Sequence, residues 1–95
     1  MRCEVKAKIR WMNGAYGDRF YIPSNVKYSP IIIFDDYLND TELWSVIVIF
    51  EKQVEEDVFI KLTYLSDLAP FERLCIGSTF SLFEGNKKVA NGIII

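Results

Sequence analysis

Residues 78–95 close the chain with the sequence STFSLFEGNKKVANGIII. Strand-forming residues, with Phe80 and Leu82 in the first run and three isoleucines at the C-terminus in the second, flank the turn-forming sequence EGNK at 84–87. This order predicts a β-hairpin. The terminal isoleucines can be buried only if an earlier strand pairs with the hairpin, so we expect the hairpin to close the fold.

The N-terminal segment supplies the clearest candidate for that earlier strand. Residues 2–11 alternate strictly between two faces, which is typical of a half-buried antiparallel strand. The expected inner face consists of Cys3, Val5, Ala7, Ile9 and Trp11. The expected outer face consists of Arg2, Glu4, Lys6, Lys8 and Arg10. Its charge of +3 fits either a solvated surface or a basic binding face.

The remaining pattern favours strands throughout. Further strands are predicted at 27–34, 43–50 and 58–65, with acidic connections at 35–42 and 51–57. Pro30 predicts an edge or a bulge, and Pro70 allows no more than one helical turn in residues 66–73. No segment sustains a helical period over ten residues. We therefore predict one all-β domain over residues 1–95, a roughly six-stranded antiparallel Greek-key β-barrel.

Composition limits the classes of function. The net charge is −2, so the chain as a whole lacks the basic signature of a nucleic-acid-binding protein. No apolar run approaches the roughly 20 residues of a membrane span, and the first residues do not resemble a signal peptide. We expect a cytoplasmic protein without membrane contact. Cys3 and Cys75 are expected to be buried, reduced thiols rather than a disulfide framework.

The sequence favours a protein that is not an enzyme. The chain has no histidine, which removes the commonest general base and metal ligand. The two cysteines lack metal-ligand spacing, and no Asp-x-Asp-x-Asp-Gly pattern is present. Adjacent carboxylates in connections usually face water rather than form an acid–base pair. We therefore expect no catalytic residue, no metal and no cofactor.

Several short motifs resemble the C-terminal β-barrel domain of bacterial elongation factor Tu. They are Gly17-Asp18-Arg19, Pro23 and Tyr28-Ser29-Pro30 in the first half, and Lys61-Leu62-Thr63, Leu68-Ala69-Pro70 and the segment FSLFEGNKKVANGII at 80–94 in the second. The resemblance spans most of the chain and implies the same barrel fold. It covers neither a P-loop nor a nucleotide-binding domain, so it implies no GTPase activity.

The same resemblance implies an alternative function in RNA binding. In that family this barrel contacts aminoacyl-tRNA, and the matching positions here are Arg19, Lys87 and Lys88. Two substitutions depart from the family pattern. Asn86 stands where the family has a second glycine, and Asp18 adds negative charge on the RNA side. The alternative is therefore an RNA- or ribosome-associated module. Its basic face would add Arg2, Lys6, Lys8 and Arg10 of the N-terminal strand to these three positions.

The charge distribution of the sequence supports a different function, that of a protein-binding barrel. Residues 35–57 hold eight acids and one base, a net charge of −7, which is typical either of a solubilising surface or of one that steers a basic partner. The candidate acidic patch comprises Asp35, Asp36, Asp40, Glu42, Glu55, Glu56 and Asp57. The specific hypothesis is an immunity or antitoxin protein that neutralises a basic toxin. We expect a monomer or a weak homodimer, the latter through strands 31–34 and 43–50.

Overall fold

The computed structural model describes residues 4–12, 28–37 and 43–95, and these form a closed six-stranded antiparallel β-barrel. Two single turns of 3-10 helix, Asp35–Tyr37 and Phe71–Arg73, accompany the strands, and the described residues contain no α-helix. The strands are β1 (Val5–Trp11), β2 (Ile31–Phe34), β3 (Trp44–Val54), β4 (Asp57–Tyr64), β5 (Thr79–Glu84) and β6 (Lys87–Ile94). The predicted all-β barrel is confirmed.

The strand order around the barrel is β1-β4-β3-β2-β5-β6, with β6 returning to β1. Strands β2, β3 and β4 are consecutive neighbours while β1 lies beside β4, which is the Greek-key order. The β5–β6 hairpin then fills the remaining gap, pairing β5 with β2 and β6 with β1. Two earlier strands therefore pair with the C-terminal hairpin, as the sequence predicted. Of the three terminal isoleucines, Ile94 is buried in the core, whereas Ile95 is 46% exposed.

Alternating side chains fill the barrel interior. In β1, Ala7 and Ile9 point inward and are almost fully buried, which confirms the predicted inner face there. The sequence did not decide which face of β4 is buried. In the structure, the buried face carries Val58, Ile60, Leu62 and Tyr64. A closed barrel buries one face of every strand, so period-2 burial is expected throughout.

One predicted connection is shorter than expected. Strand β3 does not end at Phe50 but continues to Val54, and only Glu55 and Glu56 connect it to β4. The register between β3 and β4 shifts between Phe50 and Lys52, which marks a β-bulge. The bulge inserts one extra residue, so the strand bends and continues pairing through its charged second half.

Side chains close both ends of the barrel. The hairpin end carries the β3–β4 and β5–β6 turns, and there the rings of Trp11, Tyr28 and Phe50 pack at centroid distances of 5.8–6.1 Å. The crossover end is spanned by residues 65–78, which connect β4 to β5. The ring of Phe71 in that connection lies 5.3 Å from the ring of Tyr64, edge to face.

Strand β2 has neighbours on both sides. It pairs with β5 through all four residues and with β3 through Ile31 and Ile32. The expected dimerisation edge at 31–34 is therefore already occupied by intramolecular pairing, and the oligomeric state remains a prediction. No helix within the described ranges is both long and apolar enough to cross a membrane.

Candidate functional site

The predicted acidic patch is divided between the two ends of the barrel. Asp35 and Asp36 directly follow β2 at the crossover end. Glu55, Glu56 and Asp57 form the β3–β4 turn at the hairpin end. The division arises because β3 is the strand between the two acidic segments, so its full length separates them. Asp40 and Glu42, also predicted for the patch, lie outside the described residues.

A basic residue offsets the acids at the hairpin end. The Nε of Arg10 donates a hydrogen bond of 2.7 Å to Oδ1 of Asp57, and its Nη1 lies 3.9 Å from Oε2 of Glu56. That hydrogen bond lowers the pKa of the Asp57 carboxyl below its usual value and raises the pKa of the Arg10 guanidinium. The acidic turn is therefore already engaged by a base of this chain.

The candidate RNA-binding lysines lie at the same end. Lys87 and Lys88 begin β6, directly after the tight Gly85-Asn86 turn, and both are exposed. Together with Arg10 they face four acids at this end: Glu55, Glu56, Asp57 and Glu84. The charges nearly balance, at three bases against four acids. Arg19, the third candidate RNA-binding residue, lies outside the described residues, so the RNA-binding set remains a prediction.

The crossover end is much more acidic. One base of the described residues, the half-buried Arg73, lies there, giving a net charge of −4. Five exposed acids lie at this end: Glu4, Asp35, Asp36, Asp67 and Glu72. The sequence prediction missed Glu4, Asp67 and Glu72, because each of them lies more than 30 positions along the chain from Asp35 or Asp36. Only the strand directions reveal that they share one end.

Three large apolar side chains at the same end of the barrel are exposed to solvent. Leu68 and Ile76 are 87% and 84% exposed, and Leu43 is 63% exposed. These are the three most exposed large hydrophobic residues of the part of the chain that the structure describes. Several exposed apolar side chains at one end of a barrel are typical of an interaction site, whereas a single exposed leucine would need no explanation.

The packing of residues 65–78 explains why Leu68 and Ile76 face outward. Ala69, Phe71 and Leu74 are the residues of this segment that pack against the core. Gly77, with a φ of 92°, then turns the chain into β5, and its amide bonds to the Ile94 carbonyl. The inner positions are therefore filled, and Leu68 and Ile76 remain on the outside.

Asp35 is held in a defined position at this site. The hydroxyl of Thr79, the first residue of β5, donates a hydrogen bond to Oδ2 of Asp35. This contact links the turn after β2 to the start of β5, so the Asp35 carboxylate is anchored to the barrel. An anchored charge loses less side-chain entropy on binding a partner than a free one does.

The crossover end carries carboxylates, exposed apolar side chains and one thiol. Within residues 4–12, 28–37 and 43–95, no group of three or more acids or cysteines has the geometry to hold a metal ion. Cys75 lies there as a free, exposed thiol that donates to the carbonyl of Glu72 over 2.9 Å. The expected burial of Cys75 is wrong because the segment uses Phe71 and Leu74 to fill the core. Cys3 lies outside the described residues.

A scan against models of protein families finds no match to the chain, and a search of curated proteins finds none either. The resemblance to the C-terminal barrel of elongation factor Tu therefore stays a prediction, and the function is argued from the site alone.

Proposed function

We propose that this chain is a non-catalytic binding protein whose crossover end docks a basic protein partner. The observation that supports the proposal is the coincidence, at one end of the barrel, of a net charge of −4 with the most exposed apolar side chains. Leu68 and Ile76 serve as the apolar anchors, and the acids at the same end of the barrel serve as the charged rim.

The two features have complementary roles in binding. Apolar anchors supply most of the affinity when a partner removes them from water, at roughly 25 cal/mol per Å² of buried apolar surface. The surrounding carboxylates attract a basic partner, raise its association rate and orient it. Carboxylates at the rim of an interface also disfavour wrong, acidic partners.

The concrete form of the proposal is a cytoplasmic immunity or antitoxin protein that covers the basic surface of a bacterial toxin. Such an inhibitor needs a stable scaffold and a charged docking surface but no catalytic group. Of the seven acids predicted from the sequence, the proposal assigns the binding role to Asp35 and Asp36 and adds Asp67 and Glu72. The turn acids Glu55, Glu56 and Asp57 have a smaller role, because Arg10 already engages two of them.

The experiment begins with a pull-down from the host in low salt, using the tagged chain as bait. The captured protein is then purified and its affinity measured by calorimetry against two matched variants. Asp35→Asn/Asp67→Asn/Glu72→Gln removes three charges at the crossover end, and Leu68→Ser/Ile76→Ser removes the apolar anchors. Each is expected to weaken binding at least tenfold.

The control is Glu55→Gln/Glu56→Gln, which removes charge at the hairpin end and is expected to leave affinity within about twofold. If the control weakens binding as much as the crossover variants do, the docking site is not the crossover end. If no basic protein binds at all, the proposed function is wrong.

A further inference from the structure

The outer face of the β1-β4-β3 sheet carries a cluster of four lysines. The cluster, here called the lysine face, comprises Lys6 and Lys8 on β1, Lys61 on β4 and Lys52 on β3. The register places Lys6 directly opposite Lys61. It also places Phe59 between Lys8 on one side and Lys52 on the other. The face is therefore a basic surface with an aromatic ring at its centre.

This charge is largely uncompensated. Glu51 is the one acid within the lysine face, and its Oε2 lies 3.8 Å from Nζ of Lys61. No ion pair within 4 Å joins Lys6, Lys8 or Lys52 to any other residue that the structure describes. Lys8 does attract the Asp57 carboxylate at longer range and contributes to the lowered pKa of that carboxyl. The local net charge is therefore +3. Like charges directly opposite each other destabilise a sheet, so stability alone does not account for the Lys6–Lys61 pair.

A groove of about 450 Å³ runs across this face. Lys6, Glu51, Lys52, Phe59 and Ile95 line it, and the strands at Ala7 and Ile60 contribute to its floor. The Nζ of Lys52 lies 5.1 Å from the centroid of the Phe59 ring. The groove therefore combines two ammonium groups and one carboxylate with apolar surface, and its volume lies in the range of ligand sites, roughly 300–1,000 Å³.

We propose that the lysine face binds single-stranded nucleic acid, with the lysines contacting phosphates and Phe59 contacting a base. Lys6 and Lys8 are two residues apart on one strand, so their side chains emerge about 7 Å apart on the same face. Such a row suits a polyanion with regularly spaced charges. An aromatic side chain within a basic groove is the recurring feature of proteins that bind single strands without sequence preference.

The charges around the face define the extent of the site. Beyond Lys8, Arg10 is engaged by Asp57, and the acidic turn at Glu55 and Glu56 repels phosphate. The proposed strand therefore occupies only the middle of the sheet, a site of three to four phosphates, about one for each lysine. The whole-chain charge of −2 gives no sign of this surface, because nine of the ten acids that the structure describes lie at the two ends of the barrel.

The proposal is independent of the docking role of the crossover end, since the two surfaces share no residue. The test measures fluorescence anisotropy of fluorescein-labelled 12-nucleotide oligo(U) and oligo(dT) with the purified full chain in 50 mM salt. Binding is expected to weaken linearly with the logarithm of salt concentration, with a slope of about −0.7 for each phosphate contact.

Two pairs of substitutions separate the lysine face from the rest of the basic residues. Lys6→Gln/Lys61→Gln is expected to weaken binding roughly tenfold or more and to reduce the salt slope by about 1.4. Lys87→Gln/Lys88→Gln removes the same charge from the hairpin end and is expected to have less than a threefold effect. Phe59→Leu is expected to weaken binding about fivefold or more through lost stacking.

Three results would overturn the proposal. They are an absence of binding in 50 mM salt, an equal effect of the two lysine pairs, and displacement of the oligonucleotide by poly-glutamate of equal charge at the same concentration. The last result would show that an acidic protein segment fills the groove. Thermal unfolding of each variant verifies folding, and Lys61→Gln alone serves as the substitute if the double variant is unfolded.

Discussion

The Nε atom of Arg10 donates a hydrogen bond of 2.7 Å to Oδ1 of Asp57, and this contact fastens β1 to the first residue of β4. It joins residues 47 positions apart at the hairpin end of the barrel. Because it stabilises the ionised form of Asp57, the contact gives the fold a defined sensitivity to acid.

The first prediction concerns that sensitivity. Hydrogen bonding to Arg10 holds the pKa of Asp57 below its usual value of 3.8 in the folded state. The stabilisation is therefore fully present above the unfolded-state pKa and is lost as pH falls through the folded-state value. We expect the free energy of unfolding of wild type to fall more steeply below about pH 4 than that of Asp57→Asn, as measured by urea unfolding at successive pH values.

A double-mutant comparison provides the control. In an Arg10→Gln background the hydrogen bond is already absent, so adding Asp57→Asn should not change the acid dependence further. If Asp57→Asn alters the slope equally in both backgrounds, the acid sensitivity does not come from the Arg10–Asp57 contact.

The second prediction concerns the β3–β4 turn. Glu55 has a φ of 56°, in the left-handed region that costs a residue with a β-carbon about 1–2 kcal/mol. At the equivalent position of the other hairpin, Gly85 has a φ of 62°. We expect Glu55→Asn to stabilise the protein by about 0.5 kcal/mol, because asparagine tolerates this conformation better. Thermal unfolding measures the gain.

Gly85→Ala provides the opposite substitution in the matching turn. A β-carbon there would meet no atom within 4 Å, so any loss reflects backbone conformation alone. We expect a loss of about 1 kcal/mol. An unchanged midpoint in both variants would mean that neither turn requires the left-handed conformation.

The sequence predicted the barrel because its strongest signals are local. The alternation from Val5 to Trp11 and the EGNK turn at 84–87 depend only on neighbouring residues, and both are present in the structure as predicted. The end of β3 was predicted too early, because Glu51 and Lys52 resemble a loop when read without their partners. A β-bulge and pairing with β4 keep them in the strand.

The candidate site could not be predicted to the same extent, since it depends on long-range placement. Strand direction separates Asp35 from Glu55, although both belong to one acidic stretch of the sequence. The same folding brings Asp67 and Glu72 to the end that carries Asp35. The Lys6–Lys61 pair likewise requires the β1–β4 register, which the alternation of either strand does not specify.

The last prediction tests how tightly the closing hairpin packs. A β-carbon built on Gly92 would lie 2.7 Å from Cε1 of Phe80 and 2.8 Å from Cγ2 of Ile9, both in the barrel core. Both neighbours are almost fully buried, so the added β-carbon overpacks the core. We expect Gly92→Ala to lose about 1–3 kcal/mol of unfolding free energy, which lowers the melting temperature by roughly 4 °C or more.

A change at Phe80 distinguishes a loss of stability caused by overpacking from one caused by backbone strain. Phe80→Leu shortens the obstructing ring, so the Gly92→Ala loss should be smaller in that background than in wild type. Gly77→Ala is the matched comparison, because its β-carbon would meet nothing within 4 Å while its φ of 92° is strained. The Gly77→Ala loss should therefore be the same with either residue at position 80. Equal losses for Gly92→Ala in both backgrounds would contradict close packing of β6 against Phe80.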